Sequence, residues 1–271
     1  MTTTETPTEL IHLTYEGNFQ LECEATVLSC RLLGEDANGG KTGVEIILDR
    51  TVMHPQGGGQ PSDHGRVASG EVGFDVDFVS IDRETCVVRH TGKILESLDG
   101  SPPFRPGDTV AVTVDADRRR AMSECHTAGH VIDRAMDRVG KTLPPTKGYH
   151  FLDGPYVEYK GTIPAPDRPE FLASLQEAFL ALIDENIPTA IETLPRHEAE
   201  EKCTRLASNF DFRSMVAEDV TEVRVVTAAE WSCPCGGTHL RNTGELKERG
   251  WEVRGLKCKK GVIRVRYGPK E

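Results

Sequence analysis

Thr109-Val110-Ala111-Val112-Thr113-Val114-Asp115-Ala116-Asp117-Arg118 is the stretch on which the fold turns. Thr109 to Asp115 reads as the last of a series of strands, entered from the turn-rich Ser101-Pro102-Pro103-Phe104-Arg105-Pro106-Gly107-Asp108. Immediately afterwards the composition changes. Ala121, Met122, Cys125, Ala128, Gly129, Ile132, Ala135, Met136 and Val139 recur at the spacing of an amphipathic helix, with Asp117 as its expected cap and Gly140 as its stop. The sequence therefore predicts a domain boundary near Ala116, with one domain over residues 1–115 and another over 116–271. Two modest cores also suit a chain of 271 residues.

Upstream of the boundary the candidate strands are Cys23 to Leu32, Gly43 to Leu48, Val72 to Ile81 and Thr85 to His90, separated by Gly, Asn, Asp and Pro clusters. They predict a small antiparallel β-barrel. Downstream, Asp153-Gly154-Pro155 is placed to turn a hairpin between two aromatic strands within Gly148 to Lys160. Tyr149, His150 and Phe151 are read there as core packing, with a base-stacking platform as the alternative. A helix is expected from Arg168 to Asn186, with Asp167 and Glu170 as a capping box and Pro188 as its stop. A strand at Thr189 to Leu194, a helix near Arg196 to Leu206, a strand at Glu222 to Val226 and a hairpin of Trp251 to Cys258 with Val262 to Tyr267 follow. Helices mixed with mainly antiparallel strands make the second domain α+β.

Composition narrows the function classes. Met1 to Leu10 is acidic and polar, and no apolar stretch is long enough to cross a bilayer, so a cytoplasmic protein is expected, without a membrane partner. The eight cysteines are scattered through a long chain, which suits free thiols in a reducing compartment better than disulfides. A net charge of −11 argues against general affinity for nucleic acid. That average conceals a gradient. From His239 to Glu271 there are ten Lys or Arg against four Glu, a net of +6, which leaves −17 for the residues before it. Such a tail can face phosphates, and it can equally be a solvated hairpin.

Two dyads carry the chemistry. His126 and His130 lie four residues apart, one turn above each other on the predicted helix, so their imidazoles can reach one ion. Cys235 and His239 flank Gly236 and Gly237, which favour a loop that turns a thiolate and an imidazole the same way. Either dyad alone is weak evidence, whereas together they offer four ligands of the kind zinc takes. Cys233 offers a second thiolate and is expected to play a structural or supporting part. His126-Thr127-Ala128-Gly129-His130 lacks the glutamate general base of a metalloprotease helix.

Three segments in this order resemble the editing domain of alanyl-tRNA synthetases and its free-standing AlaX-type relatives. They are Thr51-Val52-Met53-His54-Pro55-Gln56-Gly57-Gly58-Gly59-Gln60-Pro61-Ser62-Asp63-His64-Gly65, then His126 to His130, then Cys235-Gly236-Gly237-Thr238-His239-Leu240-Arg241-Asn242-Thr243-Gly244-Glu245. The glycine-rich segment points to the medium-length subtype; one departure is His54, where the family often has tyrosine. The resemblance implies a small β-barrel followed by the α+β editing fold of threonyl- and alanyl-tRNA synthetases. It also implies a trans-editing hydrolase that deacylates mischarged alanine tRNA, chiefly the seryl form, with the glycyl form a further candidate. No aminoacylation domain is recognisable, so charging of tRNA is not expected, and no obligate protein partner is evident. By the same resemblance His126, His130, Cys235 and His239 hold Zn2+, and Gln60 approaches the substrate, the acceptor end of tRNA, from the loop.

An aminoacyl ester is already activated, so an enzyme needs to position water, stabilise the oxyanion and hold the terminal ribose. Zinc there could polarise the carbonyl, activate water or orient the substrate, and four protein ligands favour an organising role. Gln60 and Thr127 are the expected catalytic residues, reading the seryl hydroxyl or orienting water. Gly57, Gly58 and Gly59 join Gln60 as substrate-binding residues because a backbone without side chains can press close to a ligand. For Thr127 the alternative is a hydroxyl bonded to its own helical turn. A non-catalytic zinc module that binds tRNA or protein, and a deacylase of another mischarged pair such as serine on threonine tRNA, remain the rival readings.

Overall fold

The computed structural model describes residues 6–34, 43–94, 101–207 and 209–270. Their contacts define two compact units, one within Met1–Gly57 and Pro61–Arg119, the other within Gly58–Gln60 and Arg120–Glu271. The chain is an α+β protein with a closed antiparallel barrel, as the sequence predicts.

In the first unit the strands are β1 (Glu9–Leu10), β2 (Glu22–Leu33), β3 (Gly43–Leu48), β4 (Arg50–Thr51), β5 (Gly65–Ser69), β6 (Val72–Asp82), β7 (Val87–Ile94) and β8 (Thr109–Val114). Six of them close in the order β2-β3-β7-β6-β5-β8, and β8 returns to β2 with Cys23 opposite Val112. Closure leaves no edge to aggregate, and alternate residues point inward. On β8 these are Val110, Val112 and Val114, which meet Val27, Ile46, Leu48, Val67, Phe74 and Val88 in one buried cluster. Strand β5 was not expected. Gly-Arg-Val-Ala-Ser carries one large apolar residue, too little to mark a strand in sequence.

Helix α1 (Ala116–Arg138) starts two residues earlier than predicted, because its cap is Asp115 rather than Asp117. The Asp115 carboxylate accepts from the Arg118 N–H at 3.0 Å, satisfying one of the orphan donors of the first turn. Within that turn Arg119 is buried against Asp63, donating from Nε at 3.0 and 3.1 Å, while the same carboxylate accepts from the His54 N–H at 2.6 Å. The pair pins the Thr51–Gly65 segment; removing one partner of such a buried pair costs about 3–5 kcal/mol.

The second unit contains β9 (Pro145–Tyr149), β10 (Tyr156–Lys160), α2 (Arg168–Asp184), β11 (Ala190–Pro195), α3 (Arg196–Leu206), α4 (Phe212–Met215), β12 (Glu222–Ala228), β13 (Trp231–Pro234), β14 (Glu252–Lys259) and β15 (Val262–Gly268). These form one sheet of order β14-β15-β10-β9 and another of order β11-β12-β13. Ile132, Ala135 and Met136 of α1, Leu175 and Phe179 of α2, and Tyr159, Val265 and Trp251 share one core. The predicted capping box of α2 does not form. A 3-10 turn, Ala165–Asp167, runs straight into the helix, Asp167 is itself helical, and Pro169 presets the first turn instead. Strand β13 and the one-turn helix α4 were not expected, being too short to show a period. No helix among the described residues is long and apolar enough to cross a membrane.

Candidate metal centre

Helix α1 brings His126 and His130 to one face, their rings stacked with centroids 5.2 Å apart. The loop after β13 turns Cys235 and His239 toward them. Cys235 Sγ lies 3.5 Å from His126 Nε2 and 3.3 Å from His239 Nε2, and one ligand atom from each of the four residues falls within 4.8 Å of the others. Ligand atoms around a tetrahedral zinc stand about 3.3–3.8 Å apart, as bond lengths near 2.1 Å to nitrogen and 2.3 Å to sulfur require. The two sulfur–nitrogen separations therefore fit a single ion.

The protonation pattern fits as well. His126 Nδ1 is 2.7 Å from Gln60 Oε1, an acceptor, so the proton sits on Nδ1 and the Nε2 lone pair faces Cys235. His239 presents Nδ1 to Thr127 Oγ1 at 3.3 Å, and His130 presents Nδ1 to Cys233 Sγ at 3.7 Å. Burial pushes His130 down to about 4, which keeps it in the neutral form that binds metal. Burial also pushes the Cys235 thiol up, opposed by the nearby Arg224 guanidinium and the Gly237 N–H. A bound dication supplies the charge that makes such a sulfur a thiolate. Cys233 is held far above its ordinary range, by burial first and by Cys235 next, and it stays outside the four-residue cluster.

Gln60 and Thr127, the expected catalytic pair, are fully buried and take no part in the wall of the neighbouring pocket. Gln60 Oε1 also accepts from the Thr238 N–H at 3.0 Å, and its amide donates to Thr238 Oγ1 at 2.9 Å. Thr127 accepts from the Leu240 N–H at 3.0 Å instead of turning back on its own helix. Both side chains hold imidazoles. Gly237 is needed for this arrangement, because a Cβ there would lie 2.2 Å from the His126 ring. Gly59 has φ +81°, and its carbonyl accepts from the His150 N–H at 2.8 Å.

The pocket, of about 360 Å³, opens beside His126, His130 and Cys235. Gly58 and Gly59 line it and Gly57 does not. A cavity of about 510 Å³ beside Arg134, Arg205 and Trp231 holds none of the four cluster residues, so the smaller pocket is the one with chemistry in its wall.

Residues 223–266 match the domain family described as the threonyl and alanyl tRNA synthetase second additional domain. The alanyl-tRNA editing protein AlaX-M of Methanosarcina acetivorans is 34% identical over 206 residues, covering 74% of this chain and 80% of that protein. This chain belongs to the AlaX-type alanyl-tRNA editing proteins. The AlaX-M protein of Methanosarcina mazei is 33% identical over 224 residues, 81% of this chain and 86% of that one. The alanine–tRNA ligase of Korarchaeum cryptofilum matches at 32% identity over 96% of this chain, which spans 26% of the ligase.

Three further residues of this AlaX-type site escaped the sequence reading. His150, read as core packing with Tyr149 and Phe151, stacks on His126 with centroids 4.2 Å apart and lines the pocket. Burial holds it down to about 3, and its Nδ1 lies 2.6 Å from the Tyr267 hydroxyl. Tyr149 and Phe151 are only half-buried and stack on each other at 4.6 Å, so they form a surface pair rather than core. Thr238 sits inside the quoted motif, but its tie to Gln60 spans 178 residues. Asp133, three residues after His130, is buried in the pocket wall, where it accepts from the Tyr159 hydroxyl at 2.6 Å and burial pushes its carboxyl up to about 7. A lone acid between Ile132 and Ala135 on the apolar stripe is the signal that marks it.

Proposed function

We propose that this chain is a trans-editing deacylase that hydrolyses the ester of mischarged alanine tRNA, seryl-tRNA above all and glycyl-tRNA second, with zinc held by His126, His130, Cys235 and His239. The observation that carries the reading is the four-residue cluster set in the wall of a pocket large enough for an aminoacyl ribose. The names of the AlaX-M relatives support the tRNA class. Zinc bound there supplies a Lewis-acidic centre, and four protein donors favour an organising role for it over a catalytic one.

The chain's own residues divide the remaining work. Gln60 keeps His126 in the tautomer that leaves Nε2 free, and Thr127 holds the orientation of His239. They are positioning residues, a change from the direct roles expected of them. Gly58 and Gly59 let backbone approach the ligand, as the substrate-binding reading of the loop requires. Asp133 offers a carboxylate to the α-ammonium that every aminoacyl ester carries. A seryl hydroxyl bonded in the pocket would separate serine from alanine by on the order of 10⁴, since alanine leaves those polar groups unpaired.

The test is release of amino acid from Ser-tRNA, Gly-tRNA and Ala-tRNA prepared on alanine tRNA, with serine on threonine tRNA as a control. Serine leaving alanine tRNA alone supports the reading. Bound zinc and bound tRNA without turnover would replace it with a non-catalytic module.

A further inference from the structure

The sheet β14-β15-β10-β9 has two unlike faces. Val157, Tyr159, Ile263, Val265 and Tyr267 point into the core. On the other face the strand register sets residues directly opposite one another. Lys147 faces Glu158, which faces Arg264, which faces Lys257. Lys160 and Lys259 both face Val262, and Arg266 faces Tyr156. Six cations thus share the face with two acids: Glu158, which already accepts from Arg264 at 2.7 Å, and Glu252 opposite Gly268, which pairs with Arg254 at 3.3 Å. Lys147, Lys160, Lys257, Lys259 and Arg266 are exposed, on a chain whose net charge is −11.

Flat rings lie beside the cations. Tyr149 stacks on Phe151 at 4.6 Å and on Tyr156 at 5.3 Å, and the Arg264 guanidinium sits 4.8 Å over the Tyr156 ring. Cations held on rigid strands next to half-exposed aromatic rings are what a single nucleic-acid strand needs: charge for phosphates and π-faces for bases. Strand β9 is the edge of this sheet, and its Lys147 and Gly148 also line the pocket beside the metal cluster. From β9 to β14 is about 14 Å at the usual strand spacing, room for a short run of nucleotides.

We propose that this sheet face docks the single-stranded 3′ end of the RNA, phosphates over Lys160, Arg266, Lys257 and Lys259, bases against the ring stack that Tyr149 holds together between Phe151 and Tyr156, and the terminal nucleotide passing over β9 into the pocket. The inference rests on the deacylase reading and names where its substrate lies.

The experiment measures binding of a fluorescently labelled, unacylated RNA hairpin with a 3′ overhang by anisotropy across a salt series. The proteins are the full chain, Lys257→Ala/Lys259→Ala, Lys160→Ala/Arg266→Ala, Tyr149→Ala, Tyr149→Phe, and Lys202→Ala on α3 as control. Each double variant is expected to bind about tenfold more weakly at 0.1 M salt, with the slope of log K against log salt lower by about 1.4, or 0.7 per phosphate contact. Tyr149→Ala weakens binding with the slope unchanged, and Tyr149→Phe restores it. On acylated tRNA the defects fall on KM, not kcat. Double variants that match Lys202→Ala in affinity and slope overturn the proposal. So does binding of phosphatidylserine vesicles that these variants lose while RNA binding stays intact. The unacylated probe keeps the two readings apart. RNA binding lost in the variants of a chain that hydrolyses no ester leaves the docking face and removes the deacylase; hydrolysis with binding untouched does the reverse.

Discussion

Gln60 Oε1 lies 2.7 Å from Nδ1 of His126 and 3.0 Å from the backbone nitrogen of Thr238, so one amide oxygen joins the helix that carries two cluster histidines to the loop that carries the other two residues. Two donors converge on that oxygen. Gln60→Ala leaves both unsatisfied and frees His126 to protonate at Nε2, the nitrogen the cluster uses. Zinc affinity should fall 10- to 100-fold, as for other partners that orient a metal-binding imidazole. Chelator competition measures it, and unchanged affinity would show that Gln60 does not set the tautomer.

Neighbouring glycines should differ sharply. A Cβ on Gly237 would sit 2.2 Å from the His126 ring and 2.7 Å from Gln60 Oε1, whereas one on Gly236 meets nothing within 4 Å. Gly237→Ala is expected to lose zinc and ester hydrolysis together, and Gly236→Ala, whose methyl enters the open pocket, to keep its zinc. Metal content of the purified proteins decides; equal zinc in the two variants would contradict the packing described for this loop.

Part of this site was legible in the chain itself. His126 and His130 could be placed together because helical period is a local property, and the six-residue strands β3 and β8 of the barrel announced themselves by branched apolar runs. What escaped depends on distance along the chain. Gln60 and Thr238 meet across 178 residues, so the sequence could nominate Gln60 but assign it to the substrate when it faces an imidazole. Asp115 and Asp117 are both competent caps, and only the path of the chain out of β8 selects the first. The basic tail was visible as charge, but which cations share a face follows from the register of β14, β15 and β10.

Asp133 gives the pocket a pH signature. Its carboxyl, pushed up to about 7 by burial, is charged only above that pH. An aminoacyl ester keeps its ammonium below about 8. KM for the seryl ester should therefore be lowest between these limits and rise as pH falls below about 7. Asp133→Asn should raise KM 10-fold or more at pH 7.5, the scale of a charge-assisted hydrogen bond, and flatten the acid limb. A KM that is the same in both proteins would remove Asp133 from substrate binding.

In the barrel, His90 is fully buried, with Nε2 2.9 Å from Thr51 Oγ1 and Nδ1 3.3 Å from the Ile46 carbonyl, and burial holds it down to about 4. Its ordinary value is near 6.5. Between the two the unfolded chain binds a proton that the folded chain refuses, so stability is lost as pH falls through that window, by about 1.4 kcal/mol per unit. His90→Gln should thus lose about 3 kcal/mol less than the parent between pH 6.5 and 4. Urea denaturation at several pH values checks this, and parallel stability curves would rule out His90 as the source.

The most direct test of the whole account compares hydrolysis of Ser-tRNA and Ala-tRNA, both on alanine tRNA, by the metal-stripped and zinc-restored protein. The account predicts multiple turnovers of the seryl ester by the zinc-restored protein, little by the stripped one, and kcat/KM for the alanyl ester lower by on the order of 10⁴. No serine released by the zinc-restored protein, even at a concentration equal to that of the substrate, would contradict it.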